Sequence, residues 1–234
     1  MPSAYNRTRA LLGRRQQAAP APFVPVPAPT WYWKFDDTLT PAIGADVLTG
    51  SAVYGAGKFA NGLAGGTSGV ISNETPIVTG DFNGEYAVSF WTTRPSAAGG
   101  TIFRQFGAAG TGGSELRLRY FFNNPTSAFQ YNIGAYQSTI QGSGIPNDGL
   151  PHHVCLVVSG GVALLYTDGS PITLGIDLSA ELGSFDPGGE LNLSASGTGL
   201  IDDCAVWVGL GNLPTADDIL RIATATGDLS TLLA

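Results

Sequence analysis

Charge is scarce in this sequence. Asp, Glu, Lys and Arg make up 12% of it, about half the usual share of a soluble domain. Gly is abundant at 33 residues. That balance favours strands joined by tight turns over charge-laced helices. Cysteine is nearly absent: Cys155 and Cys204 are the only two in 234 residues, so there is no disulfide framework. Each lies in an apolar run and reads as a small buried hydrophobe. A bridge between them stays open, since sequence does not fix a Cα separation. No CxxC spacing exists, which argues against a cysteine metal site. Histidine is limited to His152 and His153. Neighbours on a strand take opposite faces, so the two cannot share a metal. No apolar run reaches 18 residues, so nothing reads as a membrane span. Ala10-Leu11-Leu12 is cut short by Gly13-Arg14-Arg15 and does not make a secretory signal. The expectation is a chain that folds in the cytoplasm of the cell that makes it.

Residues 1–30 lack acidic side chains altogether. They carry Arg7, Arg9, Arg14 and Arg15, then prolines at 20, 22, 25, 27 and 29. Thr8–Gln17 has a weak helical period. The proline ladder favours an extended polyproline II run, spanning about 30 Å. This segment contributes +4 to a net charge of −7, which leaves −11 on the rest. Such a body repels phosphate, which argues against nucleic acid as its partner. Four arginines also suit a negatively charged protein groove. Arg7, Arg9, Arg14, Arg15 and Phe23 are therefore the candidate partner-binding residues. Ordering an arm costs conformational entropy, so its docking contacts should be extensive.

From Trp31 onward the period is two. Trp31, Trp33 and Phe35 alternate with Tyr32 and Lys34. Leu116, Leu118 and Tyr120 alternate with Glu115, Arg117 and Arg119. Phe129, Tyr131 and Ile133 alternate with Gln130, Asn132 and Gly134. Each predicts a half-buried antiparallel strand. Glu85–Trp91, Val154–Val158, Val162–Tyr166 and Ala205–Val208 are apolar on both faces, as in the middle of a layered core. Thr167-Asp168-Gly169-Ser170 supplies a hairpin turn. Pro76, Pro95, Pro125, Pro146, Pro171 and Pro187 fall between the runs, where strands should end. About a dozen short strands predict an all-β, two-sheet antiparallel sandwich. One helix is expected: Thr215-Ala216-Asp217-Asp218 forms a capping box, Ile219, Leu220, Ile222 and Ala223 share a face, and Gly227 stops it.

Several strings, in order over residues 31–225, resemble laminin G-like, concanavalin A-like lectin/glucanase jelly-roll domains. They are Trp33-Lys34-Phe35-Asp36-Asp37, Tyr54 to Leu63 with its Gly-Lys-Phe-Ala-Asn core, Glu85 to Trp91, and His152-His153-Val154. Leu165-Tyr166-Thr167-Asp168-Gly169, Gly199 to Trp207 and the Pro214–Ile222 helix complete the set. The resemblance implies the jelly-roll fold over residues 31–234, with residues 1–30 as an appended arm. The family includes carbohydrate binders, calcium-dependent adhesion modules and structural domains, so fold leaves function open. Where many relatives carry an acidic pair, Ala64 to Val70 has no carboxylate. Calcium is therefore not expected there, and no cofactor is implied. Pro151 replaces the relatives' usual Trp.

Glucanases of this shape place closely spaced acids on one strand. The five glutamates here are Glu74, Glu85, Glu115, Glu181 and Glu190, and none has an acid two residues away. The expectation is no enzyme. The adjacent histidines read as structural, one ring buried and hydrogen-bonded, the other near the surface. Asp202 and Asp203 read as partners of backbone amides, Asp36-Asp37 as a strand-end turn, and Gly107–Gly113 as a hairpin tip. Tyr120, Phe121, Phe122, Phe129, Tyr131 and Tyr136 could form a sugar platform, though core positions are the commoner use of such residues. The leading expectation is a structural protein of a bacteriophage virion, a capsid decoration or head or tail accessory, anchored to capsid or tail protein through its arm. The alternative is a carbohydrate-binding module. No membrane partner is expected, and a homo-oligomer fits the decoration role.

Overall fold

Among the described residues, fifteen strands build two antiparallel sheets, and a thin third layer covers one of them. The computed structural model describes residues 23–45, 47–72, 85–93, 100–106, 115–120, 129–133, 136–140, 146, 148–160, 162–172, 191–195, 199–209 and 211–233. The eight-stranded sheet runs β13 (Ser170–Ile172), β12 (Val162–Thr167), β11 (Pro151–Ser159), β6 (Tyr86–Thr93), β15 (Leu200–Val208), β4 (Asn61–Ala64) and β3 (Tyr54–Ala56). Its eighth member, β1 (Trp31–Trp33), lies beside β4 on the same edge of β15. The seven-stranded sheet runs β10 (Tyr136–Ile140), β9 (Phe129–Ile133), β8 (Glu115–Tyr120), β7 (Gly100–Phe106), β14 (Leu191–Ala195), β5 (Thr67–Ser72) and β2 (Leu48–Ser51). The two-sheet antiparallel sandwich expected from the period-two runs is what forms.

Alternation sorts the side chains into two cores. Tyr86, Val88 and Phe90 of β6 meet Val154, Leu156 and Val158 of β11, and Leu191 and Leu193 of β14, between the sheets. The other face of the same strands is also buried. Ala87, Cys155, Ala205 and Trp207 are covered by Ile219 and Ile222 of the helix α1 (Ala216–Thr224), by Leu229 and by Val26. This second core explains why β6, β11 and β15 are apolar on both faces. It also buries Tyr32, which alternation alone had placed on the wet face.

Three other expectations shift. Val162 and Leu164 are exposed. Strand β13 pairs only Leu165–Thr167, so the first half of β12 forms a sheet edge. Pro171 sits inside β13 rather than between strands, which an edge strand allows because its N–H side needs no partner. In α1 the capping box of Thr215 and Asp218 forms, and Ile219 and Ile222 are buried, but Leu220 is half exposed over the β12–β13 turn. The helix ends at Ala225, whose N–H returns to Ile222 O at 3.2 Å, before Gly227 is reached. The turn Asp168-Gly169 has φ of 50° and 77°, the paired left-handed residues of a tight hairpin. The expected helical period at residues 8–17, the Gly107–Gly113 tip and Pro76, Pro95, Pro125 and Pro187 lie outside the described residues.

Candidate functional site

Strand β15 carries a bulge at two buried acids, Asp202 and Asp203. Four residues of β15, from Asp202 to Ala205, span three of β6, from Trp91 to Ser89. Asp203 takes φ 53° there, a conformation that Asp and Asn tolerate better than most residues. Asp202 Oδ2 accepts from Lys58 N at 2.7 Å and Phe59 N at 3.3 Å. Asp203 accepts from the Tyr32 hydroxyl and, at 3.0 Å, from Leu229 N. Burial pushes Asp202 up to about 6 and Asp203 up to about 7. Both acids therefore tie backbone amides, as the sequence suggested. The turn held by Asp202 puts Lys58 Nζ 4.4 Å from the Trp91 ring centroid and Phe59 edge-on to it at 5.7 Å.

The two histidines do separate by face. His153 is buried beside Trp91, its Nε2 2.7 Å from Ser89 Oγ, while its Nδ1 has no partner. Burial pushes it down to about 4. His152 lies between Asp168 Oδ2, 2.7 Å from Nδ1, and Asp148 Oδ1, 3.0 Å from Nε2. Burial lowers its pKa, but the bonds to the two carboxylates outweigh that and raise it. Sequence reasoning missed this clamp. Its only signal was Asp148 standing four residues before a strand-end histidine. Both cysteines are free and buried, Cys155 on the covered outward face and Cys204 between the sheets. Among the described residues no group of three or more His, Cys, Asp or Glu could hold a metal ion.

Of the predicted arm residues, Arg7, Arg9, Arg14 and Arg15 lie outside the described residues. Phe23 is exposed, with the Arg221 guanidinium 5.5 Å from its ring centroid. The root of the arm is strapped to the body. Val26 is buried and its N–H donates to Leu232 O at 3.0 Å. Trp207 Nε1 donates to Pro27 O at 2.8 Å, Asn212 Nδ2 to Ala28 O at 3.2 Å, and Thr30 N to Val206 O at 2.8 Å. The eight-stranded sheet thus spends much of its outward face on α1, the C-terminal turn and this strap.

The seven-stranded sheet is different. Leu191 and Leu193 take its core face, so Asn192 belongs to the opposite, outward face. Register pairs Asn192 with Arg104, and Arg104 with Arg117. Arg119, two residues on, pairs with Gln130, and Gln130 with Thr139. The side chains of Tyr120, Phe129, Tyr131 and Tyr136, considered from sequence as an aromatic platform, lie outside the described ones. Phe121 and Phe122 are outside the described residues.

The family model for the concanavalin A-like lectin/glucanases superfamily matches residues 64–210. The chain belongs to this superfamily. No curated protein matches it. Among solved structures, the chain is similar to domain 4 of an extracellular arabinanase from Geobacillus stearothermophilus, determined in complex with arabinotriose. The TM-score is 0.60 at 19% identity, over 86% of this chain and 100% of that one. It is also similar to the binding domain of botulinum neurotoxin DC in complex with rat synaptotagmin II, at TM-score 0.60 and 15% identity, over 83% of this chain. The chain spans 50% of that structure. A sialidase from Trypanosoma rangeli matches at TM-score 0.56 and 13% identity, over 86% of this chain and 32% of the sialidase. Identities this low establish the superfamily fold alone. Among the described residues no helix is long and apolar enough to cross a membrane.

Proposed function

We propose that the chain is a non-catalytic recognition module that binds a carbohydrate on the outward face of its seven-stranded sheet. One observation carries this reading: the two outward faces are used differently. That of the eight-stranded sheet is largely sealed by the chain itself. In the seven-stranded sheet, register pairs Asn192 with Arg104, Arg104 with Arg117, Arg119 with Gln130 and Gln130 with Thr139 across adjoining strands. Similar domains were solved with arabinotriose and with SialylT, which makes a saccharide the natural ligand to try first. Absence of catalysis is part of the proposal. Asp202, Asp203, Asp218 and Asp228 are all engaged by backbone or neighbouring side chains. Titrating the full chain against a panel of plant and microbial oligosaccharides tests it. Binding in the micromolar to millimolar range is the expected result, as for a shallow polar face. No binding anywhere in the panel overturns it.

A second reading concerns attachment, and the strapped arm favours it. In this reading residues 31–234 recognise a ligand, while residues 1–30 fix the module to a protein partner in a larger assembly, with a virus particle the host envisaged. The strap at Val26–Thr30 fixes where the arm leaves the body, and the four arginines lie beyond it. Sedimentation of lysates containing the full chain and a chain lacking residues 1–22 tests this. Only the full chain should travel with a particle. Equal behaviour of the two removes the attachment role.

A further inference from the structure

We infer that the turn Asp148–Leu150 is a pH-operated latch, held against the start of β11 while the His152 ring is doubly protonated and released when the ring loses one proton. The inference stands apart from the carbohydrate reading and rests on hydrogen-bond chemistry at three side chains. Both ring nitrogens of His152 face a carboxylate oxygen. Nδ1 is 2.7 Å from Asp168 Oδ2, and Nε2 is 3.0 Å from Asp148 Oδ1. An ionised carboxylate only accepts hydrogen bonds, and a neutral imidazole carries one N–H. The imidazolium alone donates at both places. The two acids are held unequally. Asp168 is fixed at the β12–β13 hairpin, where its Oδ1 accepts from His153 N at 2.9 Å and its own N–H donates to His153 O at 2.9 Å. Asp148 has a local bond instead, its Oδ1 accepting from Leu150 N at 2.9 Å. Little packing restrains that turn: Leu150 is 60% exposed, and a Cβ on Gly149 would meet nothing within 4 Å. On deprotonation the remaining proton stays on Nδ1, toward the anchored Asp168. Nε2 then turns a lone pair on the Asp148 carboxylate, and the turn comes away while the hairpin keeps its bonds. Among the described residues, the other elements against the ring bring no competing charge. Its cross-strand partner on β6 is Thr92. Helix α1 meets the hairpin turn at Gly169 through Leu220 and Ala223, and its Arg221 is engaged by Asp218. Burial lowers the His152 pKa, but the bonds to Asp168 and Asp148 carry it above the ordinary 6.5. The latch is therefore shut in mild acid and opens as pH rises through that folded value.

The test is NMR of the full chain, titrated from about pH 5 to about pH 9. Long-range nitrogen–proton correlation spectra read the protonation and tautomer of the His152 ring. Amide exchange, corrected for its intrinsic rate, reads the turn at Leu150. The ring should be doubly protonated at the acid end and an Nδ1–H tautomer at the alkaline end. Leu150 protection should fall about tenfold with the same midpoint, the weight of one charge-assisted hydrogen bond. The His153 amide, bonded to Asp168, should keep its protection throughout. Asp148→Asn retains an oxygen for Leu150 N and gains an amide that donates to a neutral Nε2. It should lower the His152 midpoint and leave Leu150 protection flat across the range. His152→Gln should also remove the Leu150 titration. Asp148 is exposed, so its substitution leaves the core packing alone and decides the matter should His152→Gln not fold. A ring already neutral at the acid end overturns the inference, as does a neutral ring carrying its proton on Nε2. So does a Leu150 transition that survives Asp148→Asn, or one that the His153 amide shares.

Discussion

Asp203 shows how a single residue ties this fold to pH. Its carboxylate holds Tyr32 on one side and the amide of Leu229 on the other. Burial raises it to about 7, from an ordinary value of 3.8. The folded protein thus keeps a proton that the unfolded chain has released, and the associated stability is full below 3.8 and lost as pH rises through 7. His152 acts in the same sense, its raised value making its contribution complete below 6.5 and lost above its folded pKa. His153 opposes them. It is pushed down to about 4, so its contribution is lost as pH falls from 6.5. Asp203→Asn isolates one part of this balance. Asn accepts the left-handed backbone but cannot serve both donors through one oxygen, so the variant should be destabilised at pH 5 by about 1–3 kcal/mol. At pH 8 the deficit should shrink or reverse, by on the order of 3 kcal/mol, because the wild type alone ionises a buried acid. Urea denaturation at the two pH values measures it. A deficit that grows from pH 5 to pH 8 would refute the assignment. That Asp202 and Asp203 serve amides was legible from their place in a buried strand. Their partners were not, because Lys58, Phe59 and Leu229 are distant in sequence and meet the acids only once the bulge has formed.

At the scale of elements, strand alternation was readable wherever one face was wet, and ambiguous wherever a second cover lay on top. Tyr32 and the pair Val162 and Leu164 show the two sides of that ambiguity. The first is buried by a layer that alternation cannot reveal; the second is exposed because β13 is too short to flank all of β12. Leu220 fits the apolar stripe of α1, yet it rests on the hairpin turn rather than in the core. The turn between β3 and β4 is the element whose geometry is most tightly set. A Cβ on Gly57 would lie 2.5 Å from Asp202 Oδ2 and 3.0 Å from the Asn61 carbonyl carbon. That oxygen is pinned by two amides and has little room to move. Gly57→Ala should therefore cost about 1–3 kcal/mol and shift Trp91 fluorescence, since Lys58 and Phe59 are displaced from its ring. Gly149→Ala is the contrast. Its Cβ would meet nothing within 4 Å, but its φ is 78°, so it should cost only the left-handed strain, about 1–2 kcal/mol, with fluorescence unchanged. If Gly57→Ala is as mild as Gly149→Ala and leaves the fluorescence alone, Asp202 does not hold the turn as described.

The whole molecule is a sandwich whose one sheet is roofed by its own chain ends. Residues 26–30 enter from one terminus and the Leu229–Leu232 turn from the other, and they meet where Val26 N donates to Leu232 O. The sequence marks a change of composition at Trp31, but the physical seam lies earlier, because the backbone carbonyls of Pro27 and Ala28 accept from Trp207 and Asn212. Two truncations separate these descriptions. Removing residues 1–22 takes away the arginines and leaves every strap contact, so Tm and urea midpoint should stay within error of the full chain. Removing residues 1–30 deletes buried Val26 and the bonds to Val206, Trp207, Asn212 and Leu232. It also uncovers the apolar outward face of β15. Burial of one valine and several hydrogen bonds, less the entropy of fixing a short extended segment, leaves a loss on the order of 3 kcal/mol. A domain of this size has only about 5–15 kcal/mol to lose, so the longer truncation should melt markedly lower and bind hydrophobic dye. If both truncations match the full chain, the strap contributes nothing to stability. If the shorter one is already destabilised, the basic segment is itself part of the folded body, and the tether reading loses its basis.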